Sequence, residues 1–396
     1  MAPAWLLLLL LLLLLRLPGR GHATPSQTNC TDARGERGPC GPGREMCGAP
    51  FRRQHPPTAL PRFHLFDPSC ALNDPSGPVF DPVHGYYHVF YQKHVAAPEP
   101  GSTPGASLSD GPVWGHWVSK DLVSWAQLPV AIWNTEPYDQ VAIYTGSSTV
   151  VDGKVVIVYP GLCQHGKDQC PDPTCAGGST KTWASSPHDC PSKNLAIATP
   201  TNYGADPLLQ NWSKSANNPV VFGSTRDPST AWRTAAGEWR FTAFSGHVYN
   251  SPDFRHWSSN NESLFGAAEC PSLFPLPRDI RGNNTTVGLP SHVRKASGWY
   301  CLVDGEHAKC PHKDWFQIGS YSDGAPNTTG SWTATRGVSF APQIVDAGFV
   351  YASKDMATKD GRRLLFGWAG STPPGMTVRR ELLFDSALGR ILQTPV

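Results

Sequence analysis

Three acidic residues stand where the chain turns: Asp74 in Asn73-Asp74-Pro75-Ser76-Gly77, Asp227 in Arg226-Asp227-Pro228, and Glu269 in Glu269-Cys270-Pro271-Ser272. Carboxylates brought together do nucleophilic work when ionised and acid–base work when one of them keeps its proton. No single segment demands that reading. Asn-Asp-Pro-Ser-Gly is ordinary turn chemistry, because Asn and Asp bond nearby backbone, Pro presets φ, and Gly tolerates a left-handed conformation. Arg-Asp-Pro reads as a surface pair, and Glu-Cys carries no signal alone. For the acids to act as a set, the fold must carry distant segments to one place.

Composition narrows which elements can do that. The chain of 396 residues holds 38 Gly and 39 Pro, about a fifth of the total against a usual eighth or so. Pro and Gly interrupt nearly every window long enough for a helix, which excludes a helical bundle. With 14 Trp and 11 Tyr, short strands and turns are expected, an all-β chain. The 33 basic and 31 acidic residues leave a formal charge of +2, and charged residues make up 16%. Neither a nucleic-acid footprint nor a disordered polyelectrolyte fits those values.

A Gly-led strand recurs five times, at Gly85-Tyr86-Tyr87-His88-Val89-Phe90-Tyr91, Gly153-Lys154-Val155-Val156-Ile157-Val158-Tyr159, Gly237-Glu238-Trp239-Arg240-Phe241, Gly298-Trp299-Tyr300-Cys301-Leu302 and Gly361-Arg362-Arg363-Leu364-Leu365-Phe366. The intervals are 68, 84, 61 and 63 residues. A second pattern, Ser-x-Asp-Leu/Phe-x-x-Trp, occurs at Ser119 to Trp125 and again at Ser251 to Trp257, 132 residues later and two periods on. Four short strands and their connections fill about 65 residues, so the period predicts a five-bladed β-propeller. A two-sheet sandwich would not return the same strand-turn-Trp cassette in register. A propeller points the inner strand of each blade at one centre, and acids at the starts of blades one, three and four would converge there.

The N-terminus reads as a targeting segment. Trp5 is followed by Leu6 to Leu15, then Arg16, Pro18 and the stretch Gly19 to Ala23. That apolar run is too short for a bilayer, which needs about 20 residues, so residues 1–23 are predicted to be a signal peptide cleaved near Ala23, with no membrane association afterwards. Residues 24–60, rich in Gly, Pro and Arg, read as a Cys-containing lead-in, and residues 61–396 as the propeller domain. Secretion suits the sequons at Asn29, Asn211, Asn261, Asn283, Asn284 and Asn327 and the eleven cysteines, of which ten can pair while Cys270 stands apart. Cys163, Cys170, Cys175 and Cys190 lack the CxxC spacing of a zinc site, which favours disulfides.

Taken together and in order, the three acid motifs resemble glycoside hydrolase family 32, the invertase and fructan-hydrolase family, over roughly residues 62 to 390. Further family-like segments are Tyr87-His88-Val89-Phe90-Tyr91-Gln92, Trp114-Gly115-His116-Trp117-Val118-Ser119-Lys120-Asp121-Leu122 and Tyr144-Thr145-Gly146-Ser147, and the Arg226 to Trp232 and Glu269-Cys270-Pro271 segments look like the plant-type branch. The resemblance implies a five-bladed propeller, Asp74 as nucleophile, Glu269 as acid/base and Asp227 as stabiliser of the fructosyl transition state. It implies that Asn73, Gln92, Trp114, Tyr144 and Arg226 bind substrate, and that Ser76 and Cys270 modulate the site. Retaining hydrolysis of terminal β-D-fructofuranosides such as sucrose and short fructans needs the two working carboxyls roughly 5 to 5.5 Å apart. Asp74 is then expected to be ionised and Glu269 to keep its proton near neutral pH. His116 reads as a structural histidine. The partner is a small-molecule carbohydrate, and no metal or organic cofactor is expected.

The chain departs from the family pattern in two places. Ala71 and Ser76 replace an aromatic residue and an Asn around the nucleophile, which predicts looser hydrogen bonding at the Asp74 carboxylate and an altered water site. The family's C-terminal β-sandwich does not follow, as the sequence stops at Val396. The alternatives are a fructosyltransferase using the same site and a non-catalytic carbohydrate-binding propeller; an arabinan or xylan hydrolase does not go with the Asn-Asp-Pro turn.

Overall fold

A computed structural model describes residues 63–68, 70–94, 112–136, 138–139, 142–162, 193–223, 225–282, 290–299, 312–335, 342–370 and 374–396. The 1–23 leader, the 24–60 lead-in, the 95–111 loop and the Cys-rich 163–192 insertion therefore lie outside the described residues. Among these there is no helix, and every strand belongs to one of five antiparallel sheets.

The first sheet holds β1 (Ala71–Pro75), β2 (Val79–Asp81), β3 (Tyr86–His94), β4 (Pro112–Ser119) and β5 (Trp125–Ile132). The second holds β6 (Ala142–Ile143), β7 (Ser147–Val151), β8 (Lys154–Leu162), β9 (Lys193–Pro200) and β10 (Trp212–Lys214). The third is smaller, with β11 (Trp232–Arg233), β12 (Trp239–Thr242) and β13 (Val248–Ser251). The fourth holds β14 (Glu269–Pro275), β15 (His292–Trp299), β16 (His312–Ser322), β17 (Ser331–Ala334) and β18 (Gln343–Ile344). The fifth holds β19 (Val350–Ala357), β20 (Arg363–Ala369), β21 (Gly375–Met376), β22 (Arg380–Asp385) and β23 (Arg390–Pro395). These are the five blades of a β-propeller, as the period predicts.

The Gly-led repeat is the turn into the second strand of four of the blades. Gly85 and Gly153 sit at φ 73° and 80° ahead of β3 and β8, a conformation that a side chain resists. The fourth repeat is a correction: β15 ends at Trp299 instead of beginning there, and Tyr300 to Leu302 lie outside the described residues. The two Ser-x-Asp cassettes are one structure used twice. Leu122 and Phe254 both take positive φ, Asp121 and Asp253 each accept from two following backbone N–H groups, and Trp125 and Trp257 donate back to the Leu122 and Phe254 carbonyls.

Second strands are covered on both faces by neighbouring blades, so they read as almost continuous apolar runs; β3 and β8 are buried beyond their first residues. Phe90 and Trp114 pack with Ile157 and Tyr159 between blades one and two, and Val156 and Val158 with Phe241 and Tyr249 between two and three. Phe274, Val293 and Phe316 meet Leu365 and Phe384 between four and five, and Leu72, Tyr87 and Val89 meet Leu364 and Phe366 where the ring closes. The seam between blades three and four is different. There the buried Arg240 donates to Glu238 at 2.9 and 2.8 Å, to the Tyr321 hydroxyl at 3.3 Å and to the Ala325 carbonyl at 3.0 Å.

Candidate active site

Four blades interrupt their innermost strand, and the third holds its acid just ahead of that strand. β1 shifts register between Leu72 and Pro75, the stretch that carries Asn73 and Asp74. β6 and β7 are parted by Tyr144-Thr145-Gly146. Asp227 precedes β11 at φ 55°. β14 shifts between Glu269 and Ser272, with Cys270 at φ 46°, and β19 shifts between Tyr351 and Lys354, with Ala352 at φ 53°. A bulge breaks the alternation of a strand and re-aims a side chain, and left-handed non-glycine residues cost about 1 to 3 kcal/mol each and cluster at working sites.

The interrupted points meet. Thr145 Oγ1 donates to Asp74 Oδ2, and Gln92 Nε2 donates to Thr145 in turn. Asn73 Nδ2 donates to Asp74 Oδ1 at 3.0 Å, while Asn73 Oδ1 meets His94 Nε2 at 2.6 Å. Arg226 spans the other two acids, with Nη1 on Asp227 Oδ2 and Nη2 on Glu269 Oε1, both at 2.6 Å. The remaining oxygen of Glu269, Oε2, accepts from the Tyr351 hydroxyl at 2.7 Å. Cys270 is the joint between the groups: its N–H donates to Asp227 Oδ2 at 3.1 Å, and its Sγ lies 3.6 Å from Asp74 Oδ2 and 3.9 Å from Asp227 Oδ2.

Buried lysines satisfy the carbonyls that the bulges free from their ladders. Lys295 Nζ donates to the Cys270 carbonyl at 3.1 Å and the Ser353 carbonyl at 2.6 Å, and it pairs with Asp314 at 3.4 Å. Asp314 accepts the Ala352 and Ser353 N–H groups, and Lys354 Nζ reaches the Pro228 carbonyl at 3.1 Å. Blades three, four and five are thereby tied together beneath the acids.

Among the residues singled out from sequence, Asp74, Asp227, Glu269, Asn73, Arg226 and Cys270 share this cluster. Gln92 reaches Asp74 only through Thr145. Tyr144 is half-buried within electrostatic reach of Arg226 and Asp227. Trp114 is a correction: it has no exposure, stacks on Phe90 with ring centres 5.7 Å apart, and spends its Nε1–H on the Tyr144 carbonyl at 3.0 Å. Trp114 faces the neighbouring blade and lines no sugar pocket. Ser76 is a second correction. Fully buried, it directs its hydroxyl at the Asp74 carbonyl (3.4 Å) and its N–H at Phe90 (2.8 Å), away from the Asp74 carboxylate. Ala71 is buried as well, so the position opens no wall. His116 is buried against Phe90 and bonded to His88 at 2.9 Å. Thr145, Tyr351 and His312 were missed. Thr145 lies within the family-like Tyr144-Thr145-Gly146-Ser147 segment, whereas nothing local marks the other two.

The order of the two proton affinities is the reverse of the sequence expectation, with Asp74 above Glu269. Burial pushes Asp74 up to about 6, against a lowering by the Thr145 hydroxyl and with a further rise from the charge of Asp227. Burial also works to raise Glu269, but the Tyr351 hydrogen bond and the Arg226 charge outweigh it and hold this carboxyl below its ordinary value. The cause is the type of partner: Asp74 receives only uncharged donors, while Glu269 holds a guanidinium. Burial pushes the Cys270 thiol well above its usual range, helped by Asp227 and Asp74, so it stays S–H. Among the described residues no group of three His, Cys, Asp or Glu could hold a metal ion.

Comparison with known proteins gives the arrangement a family. Residues 64–381 match the glycosyl hydrolases family 32 N-terminal domain. The chain is 30% identical over 374 residues to acid beta-fructofuranosidase 4, vacuolar, of Arabidopsis thaliana, covering 84% of this chain and 49% of that protein. It is 30% identical over 390 residues to fructan 6-exohydrolase of Triticum aestivum, covering 87% of this chain and 58% of that one. The crystal structure of fructan 1-exohydrolase IIa from Cichorium intybus superposes with a TM-score of 0.59 at 27% identity, over 84% of this chain and 60% of that one. The chain thus spans about half to three-fifths of the length of these relatives. A match over most of the propeller, carrying all three acid motifs, places this chain in glycosyl hydrolase family 32.

Proposed function

We propose that this protein is a secreted, retaining β-fructofuranosidase, with Asp74 as nucleophile, Glu269 as acid/base and Asp227 as the acceptor of sugar hydroxyls. The observation that carries the reading is the convergence of the three acids from three blades, with Cys270 touching both aspartates and Arg226 touching both Asp227 and Glu269. The relatives' names, beta-fructofuranosidase and fructan exohydrolase, supply the substrate class.

In the first half-reaction the Asp74 carboxylate attacks the anomeric carbon of the fructosyl unit, and the leaving oxygen takes a proton from Glu269. In the second, Glu269 takes a proton from water, which displaces Asp74 from the sugar. Between their two titrations the pair holds one proton, and the reactive arrangement has it on Glu269. Asn73 and Thr145 hold Asp74 in place for attack, and Arg226 fixes Asp227 against Glu269. Ser76 is turned from the carboxylate, so it does not supply the altered water site that would favour transfer.

The secretory reading rests on the leader at residues 1–23 and on Asn211, Asn261 and Asn327, three sequon residues that are all exposed. Among the described residues no helix is long and apolar enough to cross a membrane. The deciding experiment incubates purified protein with sucrose, raffinose, inulin and levan and separates the products. Release of free fructose from at least one is expected, with the β-anomer formed first by NMR. No release from any of the four overturns the activity, and initial α-fructose overturns the covalent route.

A further inference from the structure

Glu269 meets a second residue through a first. Tyr351, in the β19 bulge, donates to Glu269 Oε2 at 2.7 Å, and its oxygen lies 3.0 Å from Nε2 of His312, the first residue of β16. The two rings stack with centres 4.6 Å apart and planes 21° from parallel. A phenol carries one proton and can aim it at one acceptor. If His312 Nε2 were the acceptor, the Tyr351 proton would leave Glu269; with Nε2–H donated to the Tyr351 oxygen, that proton is committed to Glu269. We infer that His312 is a positioning residue for Glu269, acting through Tyr351 by fixing the direction of its hydroxyl.

The inference rests on the acid/base assignment of Glu269 proposed above. A carboxyl that gives up a proton in one half-reaction and regains one in the other has its ionised form stabilised by every donor aimed at it. Arg226 and Tyr351 occupy one oxygen each. The other charged or titratable groups facing this assembly are Asp227 beside Arg226, Asp74 on β1, Tyr144 between β6 and β7, Lys193 on β9, Cys270 on β14 and Asp314 on β16. His312 itself is exposed, so its replacement leaves the core intact.

The test compares the pH dependence of kcat/KM on the preferred fructoside for the parent, Tyr351→Phe, His312→Ala and His312→Gln. In this profile the acid limb follows Glu269 and the upper limb follows Asp74. Losing the phenolic donor weakens the ionised form of Glu269, so Tyr351→Phe should move the acid limb upward by about one pH unit, or about tenfold in proton affinity. His312→Ala should move it the same way by a smaller step. His312→Gln, whose amide can donate to the Tyr351 oxygen, should stay close to the parent. A merely structural role would lower kcat at all pH values without moving the limb. An active parent whose limb coincides with that of His312→Ala, or a His312→Gln limb displaced as far as that of His312→Ala, overturns the positioning role alone. A parent that releases no fructose from any substrate overturns the fructosidase reading and this inference with it.

Discussion

The two working carboxyls of the site are the same functional group in opposite settings. Asp74, on blade one, is gripped by Asn73 and Thr145, neutral donors that orient it without answering its charge. Glu269, on blade four, is gripped by a guanidinium from blade three and a phenol from blade five. Burial presses on both, and only Glu269 has a cation to offset it. Burial is the largest influence on both; at Glu269 the phenol of Tyr351 and the charge of Arg226 together outweigh it, whereas the Thr145 hydroxyl at Asp74 does not.

The largest expected effect breaks the Asp74 side outright. An amide cannot form the glycosyl-enzyme, so Asp74→Asn should lower turnover on the order of 10⁵-fold with an unchanged circular dichroism spectrum. Activity within tenfold of the parent would remove Asp74 from the nucleophile role. On the other side, Glu269→Ala should cost about 10² to 10⁴ on sucrose and distinctly less on a fructoside with a good leaving group, because only the poor leaving group needs the proton. Equal losses on the two substrates would end the assignment of Glu269 as acid.

A smaller change sharpens the contrast. In the parent, kcat/KM should fall above about pH 6, where the pair loses its shared proton, because burial holds the Asp74 carboxyl at about 6. Thr145→Val keeps the shape, removes the donor that lowers Asp74, and strands the Gln92 amide. It should cost about tenfold in kcat/KM and move the upper limb to higher pH, since losing a hydrogen bond to a carboxylate is worth about 1.5 to 3 kcal/mol. A limb that moves down or stays put would show that Thr145 does not tune Asp74. The least effect on chemistry is expected of Ser76→Asn. The larger side chain enters a fully buried site, so thermal stability should drop by about 1 to 3 kcal/mol while the pH limbs stay in place. A shifted limb with unchanged stability would return Ser76 to the carboxylate.

What could be read from the sequence follows from which signals are local. The acids sit in turns made of Asp, Pro and Gly, and the second strands are apolar because both faces are covered, so motif and period were both visible along the chain. The Gly298 repeat falls at the end of the fourth blade's second strand instead of its start, because β15 carries Arg294 and Lys295, and Lys295 is buried by virtue of Asp314, Ser297 and the bulge carbonyls. A charged residue buried by tertiary partners erases the apolar signature that the other second strands keep. Trp114 misled for the converse reason: the resemblance assigns it to the sugar pocket, yet on the face it shares with its cross-strand partner Gln92 the indole is wholly enclosed against the next blade. Tyr351 has no motif around it and acquires meaning only when blade five is laid against blade four.

The interrupted inner strands have a consequence for how the molecule fails. Since every blade lends one contact to the cluster, its dimensions depend on the sum of small rotations around a closed circle. A slippage at any seam is transmitted to the centre, so catalysis should be lost at milder denaturant than the bulk of the strands. The seam least like the others joins blades three and four through Arg240, whose guanidinium would find water ready to replace its partners if that joint parted. Partial opening there would separate Arg226 from Glu269 while leaving Asp74, Thr145 and Gln92 together, an intermediate that folds, binds and does not turn over.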